Sequence, residues 1–452
     1  MDQAELRTHL VNLVAEPDKH QLRALLAHRH IADLSDAMMD FSPKEAAVLL
    51  DLLTLHDHAE AFSYMSEERQ AMIAAVMPRN DLAALFSQME SDERADLFNR
   101  LTEEQRHAVL PGLAQAERED VRRLASYPEK TAGALMTSDY ATLRAHWTVK
   151  KALLRIRLEA PDKETIYQVY VVDKDRTLRG TLSLKQLILA RPDATIAELM
   201  LTDVVSVAVD EDQEKVAEIV RHYDLLAVPV LDAEQKLVGI ITYDDAMDAF
   251  VEEATEDAQK SASVAALGSS FKNIGLGQLY LKRIGWLLML VFGALFSGAG
   301  IAFFEDIIAQ QVALVFFLPL LVGSGGNAGS QAAALMIRAL ATGEVQMRDW
   351  LGLLGREIIV AGALGLTLAL AVSALGWLRG GPEVAVIVAA AMVCVVLTGS
   401  LIGLCLPFVL SKIKLDPATA SGPLVTTIVD ATGVIIYLGF AQLVLSGSHS
   451  LF

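Results

Sequence analysis

Five apolar stretches follow one another toward the C-terminal end of the chain, at residues 281–303, 310–337, 351–377, 384–410 and 422–446. About 20 helical residues span a hydrocarbon layer of about 30 Å, so each is long enough to cross it. Inside that layer every backbone N–H and C=O needs an internal partner, which makes such segments helices. The last stretch contains PLVTTIVDATGVIIY, residues 423–437, whose one charged side chain is Asp430. A carboxylate at mid-bilayer costs about 2.5–3.5 kcal/mol on insertion scales. It persists where it faces a partner, water or a cation, so Asp430 leads the functional candidates.

Charge divides the chain near residue 270. Behind that point stand eight acids (Glu305, Asp306, Glu344, Asp349, Glu357, Glu383, Asp416 and Asp430) and nine Lys or Arg. Totals of 56 acids and 38 bases leave 48 and 29 in front, a balance of −19 against +1 behind. A soluble acidic half is therefore joined to a membrane half. The acidic balance excludes a nucleic-acid partner, which needs a basic face, and suits a cationic one. MDQAELRTHL has no basic segment before an apolar run, so the front half is expected to stay in the cytoplasm. Lys282, Arg283, Arg338, Arg348, Lys412 and Lys414 gather on one side of the five spans. Glu305, Asp306, Arg379 and Glu383 lie in the opposite loops. That bias predicts a cytoplasmic N-terminus and an external C-terminus.

Residues 1–130 alternate amphipathic segments such as LRALLAHRH and RADLFNRLTEEQRHAVL with short polar turns. Apolar residues recur at spacings of three and four, which predicts short paired helices in a small superhelix. SPKE at 42–45 and SDER at 91–94 place a serine at each expected N-cap. Residues 131–250 hold an internal repeat. LMTSDYATLRAHWTVKKALLRI with IYQVYVVDKDRTLRGTLSLKQLILA matches LMLTDVVSVAVDEDQEKVAEIV with LLAVPVLDAEQKLVGIITYDDAMDAF. Met136 aligns with Met200, Asp173 with Asp232 and Gly180 with Gly239; APDKET is an insertion in the first copy. Each copy reads strand, helix, strand, turn, strand, helix, and the pair resembles tandem CBS domains, which sense adenine nucleotides or ions. Residues 251–278 form a connector expected to be helical, and the membrane domain fills 279–452.

Around Asp430, Thr426, Thr427 and Gly433 offer oxygens and close backbone within one turn. Oxygen ligands without His or Cys suit a hard cation such as Mg²⁺ or Ca²⁺. LPLLVGSGGNAGSQAAALMIRAL, residues 318–340, fits a relaxed dinucleotide pattern at Gly323, Gly325 and Ala328. It has no βαβ unit around it, so that reading fails. Two others stand: helix packing through Gly325 and Gly329, and a pore wall near Gly326 in which the amides Asn327 and Gln331 face water. The amides favour the pore wall. Glu357 beside Arg356 reads as an interfacial ion pair ahead of an ion relay. Asp416-Pro417 reads as a helix cap, with a second role at a pore mouth. The acid runs ITYDDAMDAFVEEATED, DEDQE and MESDERAD suit a solvated face on composition alone. Histidines at 28–30 and 56–58 read as surface residues without zinc spacing. Cys394 and Cys405 lie about 16 Å apart along one helix, beyond disulfide reach. No P-loop, zinc motif or nucleophile with its base is present, which sets enzymes aside.

A helical N-domain, tandem α/β CBS domains, a connector and five spans carrying GGNAGSQ and DPATASGPLVTTIVDATG resemble the MgtE magnesium channels over essentially the whole chain. The resemblance implies a multidomain membrane protein that works as a homodimer through its membrane and CBS domains. It implies Mg²⁺ as cargo and ligand, with ATP a candidate ligand of the CBS pair. Asp430 would be the pore carboxylate, holding hydrated Mg²⁺ with its symmetry mate; Asn327, Gly326, Thr427, Glu357 and Asp416 complete the pore candidates. Cytosolic Mg²⁺ would bind at Asp92, Asp96, Asp212, Glu214, Asp224, Asp245, Asp248, Glu253, Glu256 and Asp257. The resemblance thus reverses the solvated-face reading of those acids. Ser330 departs from the family, which often has Asn there. A proton-coupled carrier using Asp430 and a non-transporting membrane sensor are the competing readings.

Overall fold

The computed structural model describes residues 3–26, 29–267 and 274–448. The chain forms two compact units, residues 1–251 and 252–452.

The first unit opens with short helices: α1 (Gln3–Ala15), α2 (Lys19–Leu26), α3 (Ile31–Met38), α4 (Pro43–Leu50), α5 (Leu55–Ser63), α6 (Glu67–Ala74), α7 (Arg79–Phe86), α8 (Ser91–Arg100), α9 (Glu103–Val109) and α10 (Gln115–Leu124). From α3 onward each packs on the helix two places along, the pattern of a superhelical stack. Leu34, Met38, Leu49, Phe62 and Phe86 form its buried stripe. Ser42 caps α4 in a capping box with Glu45, as SPKE predicts. Ser91 does otherwise. The cap of α8 is Glu90, and Ser91 is buried, bonding Thr137 at 2.9 Å and the Ser138 N–H at 2.7 Å. A serine beside a neighbouring domain has a better use than its own helix end.

His58 corrects a second expectation. It is buried, its Nε2 has no hydrogen-bond partner among the described residues, and burial lowers its pKa to about 4. His30 caps α3 through Ala32 N–H, His56 is exposed, and His28 lies outside the described residues.

The repeat folds as two three-stranded sheets, with a short helix α11 (Ala132–Leu135) before the first. The first copy contains β1 (Tyr140–Leu143), α12 (Val149–Glu159), β2 (Thr165–Val172), β3 (Leu178–Ser183) and α13 (Leu184–Leu189). After α14 (Ile196–Leu199), the second contains β4 (Val207–Ala208), α15 (Gln213–His222), β5 (Ala227–Leu231), β6 (Leu237–Thr242) and α16 (Tyr243–Ser261). In each copy the first strand runs parallel to the second and the third antiparallel. The copies clasp reciprocally: a Cβ on Gly239 would strike Met136, and one on Gly180 would strike Met200. The glycine and methionine aligned within the repeat therefore meet across it.

Helix α16 begins in the second copy and continues without a break to Ser261. Within the described part of the connector expected at 251–278, the helix stops at Ser261, Ser263 adopts a left-handed φ of 57°, and helical backbone begins again at Leu276. Residues 268–273 of it lie outside the described residues.

The second unit is built on α17 (Leu276–Phe303), a short α18 (Glu305–Gln310), α19 (Ala313–Ala341), α20 (Trp350–Lys412) and α21 (Gly422–Ser448). The 63 residues of α20 are two spans. Gly381 takes φ 79° and ψ −173°, a conformation open essentially to glycine alone, and Pro382 starts the next helix. Gly376 meets Ala385 and Gly365 meets Val393, so the halves fold back on one another. Five apolar spans result. Gly325 and Gly329 on α19 interlock with Gly399 and Gly403 on α20, where a Cβ at either would run into a carbonyl of α19. Such backbone contact is how small residues hold membrane helices together. Gly403→Ala is expected to destabilise the unit by about 1–3 kcal/mol through overpacking. Gly352→Ala, beside which nothing lies within 4 Å, serves as control. Thermal unfolding of the detergent-solubilised protein reads the difference, and equal midpoints would refute it.

Candidate functional site

Five carboxylates from three elements meet in the first unit. Glu90 and Asp92 stand at the N-terminal end of α8, Glu164 precedes β2, and Asp244 and Asp245 open α16. Oxygens of Glu90, Asp92 and Glu164 lie within 4.8 Å of one another, and those of Glu164, Asp244 and Asp245 do likewise. Glu164 thus joins two triads and ties the helical stack to both CBS copies. Asp92 is 6% exposed. Its Oδ1 and the Oε2 of Glu164 are buried without a hydrogen-bond partner among the described residues. The Thr242 hydroxyl donates to Asp245.

Loss of water drives the electrostatics, and the acids then act on one another. Burial first and Asp245 next hold Asp92 well above the usual carboxylate range. The same two causes, in the same order, push Glu164 to about 8. Burial, reinforced by neighbouring acids, takes Glu93 to about 8, Glu90 and Asp96 to about 7 and Asp245 to about 6. A partly buried set of hard oxygens, with Asp92 Oδ1 and Glu164 Oε2 unmatched among the described residues, fits a divalent cation such as Mg²⁺. A Cys or His ligand set would have pointed elsewhere.

The structure separates the other sensing candidates. Asp96 lies one turn after Asp92 on α8, and Asp248 sits exposed one turn after Asp244 on α16. Asp212 caps α15 by accepting the Glu214 N–H at 2.9 Å. Asp224 occupies a left-handed turn at φ 50°. Among the described residues, no cation-sized grouping includes Asp212, Glu214 or Asp224. Glu253, Glu256 and Asp257 follow on α16 within the second unit. There Lys260 Nζ lies 2.6 Å from Glu256 and 2.5 Å from Asp416. Burial and then Asp416 raise the pKa of Asp257. Sequence reasoning missed Glu90, Glu164 and Asp244 as site members. Glu90 lay within the acid run MESDERAD and Asp244 within ITYDDAMDAFVEEATED, whereas Glu164 hid in the APDKET insertion.

In the membrane unit Asp430 is half-buried on α21, and no hydrogen bond or ion pair to it exists among the described residues. The hydroxyls of Thr426 and Thr427 donate instead to the Pro423 carbonyl at 3.0 and 2.8 Å, leaving their lone pairs free. A dry Asp–Thr bond is therefore not formed. Thr427 presents its methyl to Gly293 of α17, and Gly433 packs toward Val322 and Val395.

Helix α19 runs unbroken through GSGGNAG, so the backbone there is hydrogen-bonded within the helix and is not unwound toward a water path. Gly325 and Gly329 pack, and Gly326 lies against Thr426. Asn327 and Gln331 share the exposed face, one turn apart. The Ser330 hydroxyl lies 3.4 Å from the Gly422 carbonyl, at the start of α21. Glu357 does not pair with Arg356; the Ser400 hydroxyl, on the facing span, donates to it at 2.7 Å. Ser400 is buried, so Glu357 is drawn inward across the hairpin. Asp416 caps the turn Pro417–Thr419, accepting the Ala418 N–H at 2.8 Å, as expected.

Family models place these features. A divalent cation transporter domain matches residues 318–440, an MgtE intracellular N domain 29–130, and CBS domains 132–193 and 196–252. The magnesium transporter MgtE of Thermus thermophilus is 37% identical over 446 residues, covering 98% of this chain and 99% of that protein. The Bacillus subtilis magnesium transporter MgtE is 32% identical over 440 residues, covering 97% of each. Among solved structures, the soluble part of a magnesium transporter superposes with a TM-score of 0.52 at 33% identity, covering 56% of this chain and 100% of its own. The cytosolic domain of the Mg²⁺ channel MgtE in complex with ATP gives 0.51 at 36%, covering 54% and 99%. Matching in every domain and over nearly its full length, the chain belongs to the MgtE family of magnesium transporters.

Proposed function

We propose that the protein is a Mg²⁺-selective channel for uptake, gated shut by cytosolic Mg²⁺. The observation that carries the gate is the pair of carboxylate triads sharing Glu164, with buried oxygens on Asp92 and Glu164 that lack a hydrogen-bond partner among the described residues. Five acids this close repel unless protonated or bridged by a cation. High internal Mg²⁺ favours the compact arrangement; low Mg²⁺ lets the carboxylates push α8, β2 and α16 apart. A ligand with higher affinity for one arrangement shifts the population toward it.

For conduction, Asp430 faces its counterpart in a second copy across a two-fold axis, and together they hold a largely hydrated ion. Mg²⁺ dehydrates reluctantly, so carboxylates acting through water suit it better than an all-protein cage. Exposure of Asn327 and Gln331 on a membrane helix supports a face that meets a partner or water. An inside-negative potential drives uptake at about 2.3 kcal/mol per charge per 100 mV, hence about twice that for Mg²⁺. The positively flanked ends of the spans support a cytoplasmic N-terminus and an external C-terminus. The CBS pair supports ATP as a ligand, by likeness to the ATP-bound relative.

Patch recording with stepped cytosolic Mg²⁺ tests the reading. Open probability should fall as internal Mg²⁺ rises, and current should reverse at the Mg²⁺ equilibrium potential whatever the pH gradient. A reversal that follows pH would identify a proton-coupled carrier.

A further inference from the structure

We propose that Lys260 is a built-in counter-cation at the cytoplasmic end of the membrane unit, and that it sets how firmly α16 holds the loop before α21 when Mg²⁺ is scarce. The inference rests on the Mg²⁺-gated reading and adds a regulatory residue to it.

The ammonium sits between two carboxylates of different origin. Glu256 is one turn earlier on the same helix, at 2.6 Å, and Asp416 belongs to the loop between the fourth and fifth spans, at 2.5 Å. Lys260 is thus positioned by its own helix and reaches across to the loop. The pair is half-shielded, at 26% and 35% side-chain exposure, so water weakens it less than a fully exposed pair. A neutral tie lies beside it. The hydroxyls of Ser263 and Ser421, both buried, are 2.6 Å apart. Ser263 N–H bonds the Lys260 carbonyl at 2.8 Å, and Ala265 N–H bonds the Lys282 carbonyl of α17 at 3.1 Å. The end of α16 is therefore folded onto the ends of α17 and α21.

Charge explains why the tie is partial. Asp257 adds a third acid to Glu256 and Asp416, and one ammonium neutralises one of three charges. Lys260 supplies a fixed baseline of attachment, present at any ion concentration. On the Mg²⁺-gated reading, a divalent cation adds to it.

The experiment is limited proteolysis of the connector in the full-length protein with proteinase K, which does not depend on the lysine, in EDTA and across a MgCl₂ titration. Lys260→Gln should raise cleavage in EDTA by about threefold, the loss of a partly shielded ion pair, and match wild type at saturating Mg²⁺. Lys260→Arg should behave as wild type. Lys260→Asp combined with Asp416→Lys should recover the EDTA protection that each single change loses, which a merely structural role would not give. A Lys260→Gln curve that superposes on wild type overturns the proposal, as does one unprotected at every Mg²⁺ level. A wild-type protein indifferent to Mg²⁺ would overturn the gate instead, and the EDTA comparison would still judge Lys260.

Discussion

Asp430→Ala is expected to bring Mg²⁺ uptake down to the level of cells without the transporter, while the protein still inserts and assembles. The reason lies in what Asp430 lacks. No described residue bonds it, and the threonines one turn away spend their hydroxyl protons on the Pro423 carbonyl. Removing the carboxylate therefore breaks no internal contact, so folding should be spared or even favoured by the lost desolvation cost. On the proposed reading, what disappears is negative charge in a path that a doubly charged ion must cross through a low-dielectric layer. Asp430→Asn separates charge from shape: it keeps an oxygen at nearly the same place and should still fail. Growth of an uptake-deficient strain in low Mg²⁺, with membrane expression measured alongside, gives the readout. Wild-type growth of either variant would remove Asp430 from the pore.

Much of this architecture was legible because its signals are long and periodic. Five apolar stretches could be delimited within a few residues, and the repeat showed itself by aligning Met136 with Met200 and Gly180 with Gly239, although their meeting across the copies was seen only in the fold. Short-range chemistry held at Ser42, where nothing nearby competed with it, and at Asp416, where one oxygen caps the turn while the other meets Lys260. Ser91 failed as a cap because Thr137 and Ser138, 46 and 47 residues on, claim its hydroxyl. His58 was misplaced because a histidine in a polar tripeptide looks solvated until the stack closes over it. The glycines of α19 were ambiguous for a different reason: their partners are Gly399 and Gly403, some 74 residues later, and a packing motif is recognisable only as a pair. Glu164 was invisible because it belongs to an insertion, where alignment of the repeat offers no counterpart.

Neutralising the shared cluster, with Asp92→Asn, Glu164→Gln and Asp245→Asn together, should make the compact arrangement of the first unit independent of Mg²⁺. Protection from protease should be as high in EDTA as in wild type with Mg²⁺, and internal Mg²⁺ should no longer close the channel. The wild type should betray the same physics through pH. Burial raises the carboxylates: Glu164 and Glu93 to about 8, Glu90 and Asp96 to about 7 and Asp245 to about 6. Between their ordinary values near 4 and these raised ones, the compact state binds more protons than the separated state. Its stability must then fall as pH rises through that window, and be fully present only below it. In EDTA the unfolding midpoint should drop between pH 5 and pH 8. Saturating Mg²⁺ should flatten that slope, because a bound cation favours the ionised form and expels the protons. The triple variant should lose the part of the slope that Asp92, Glu164 and Asp245 carry and keep a shallower one from Glu90, Glu93 and Asp96, whose own burial still raises them. A wild-type midpoint that ignores pH in EDTA, or a triple variant that still needs Mg²⁺ to compact, would mean that the acids on α8, β2 and α16 merely face water. The gate would then have to be sought farther along α16, where Glu256, Asp257 and Asp416 gather around Lys260.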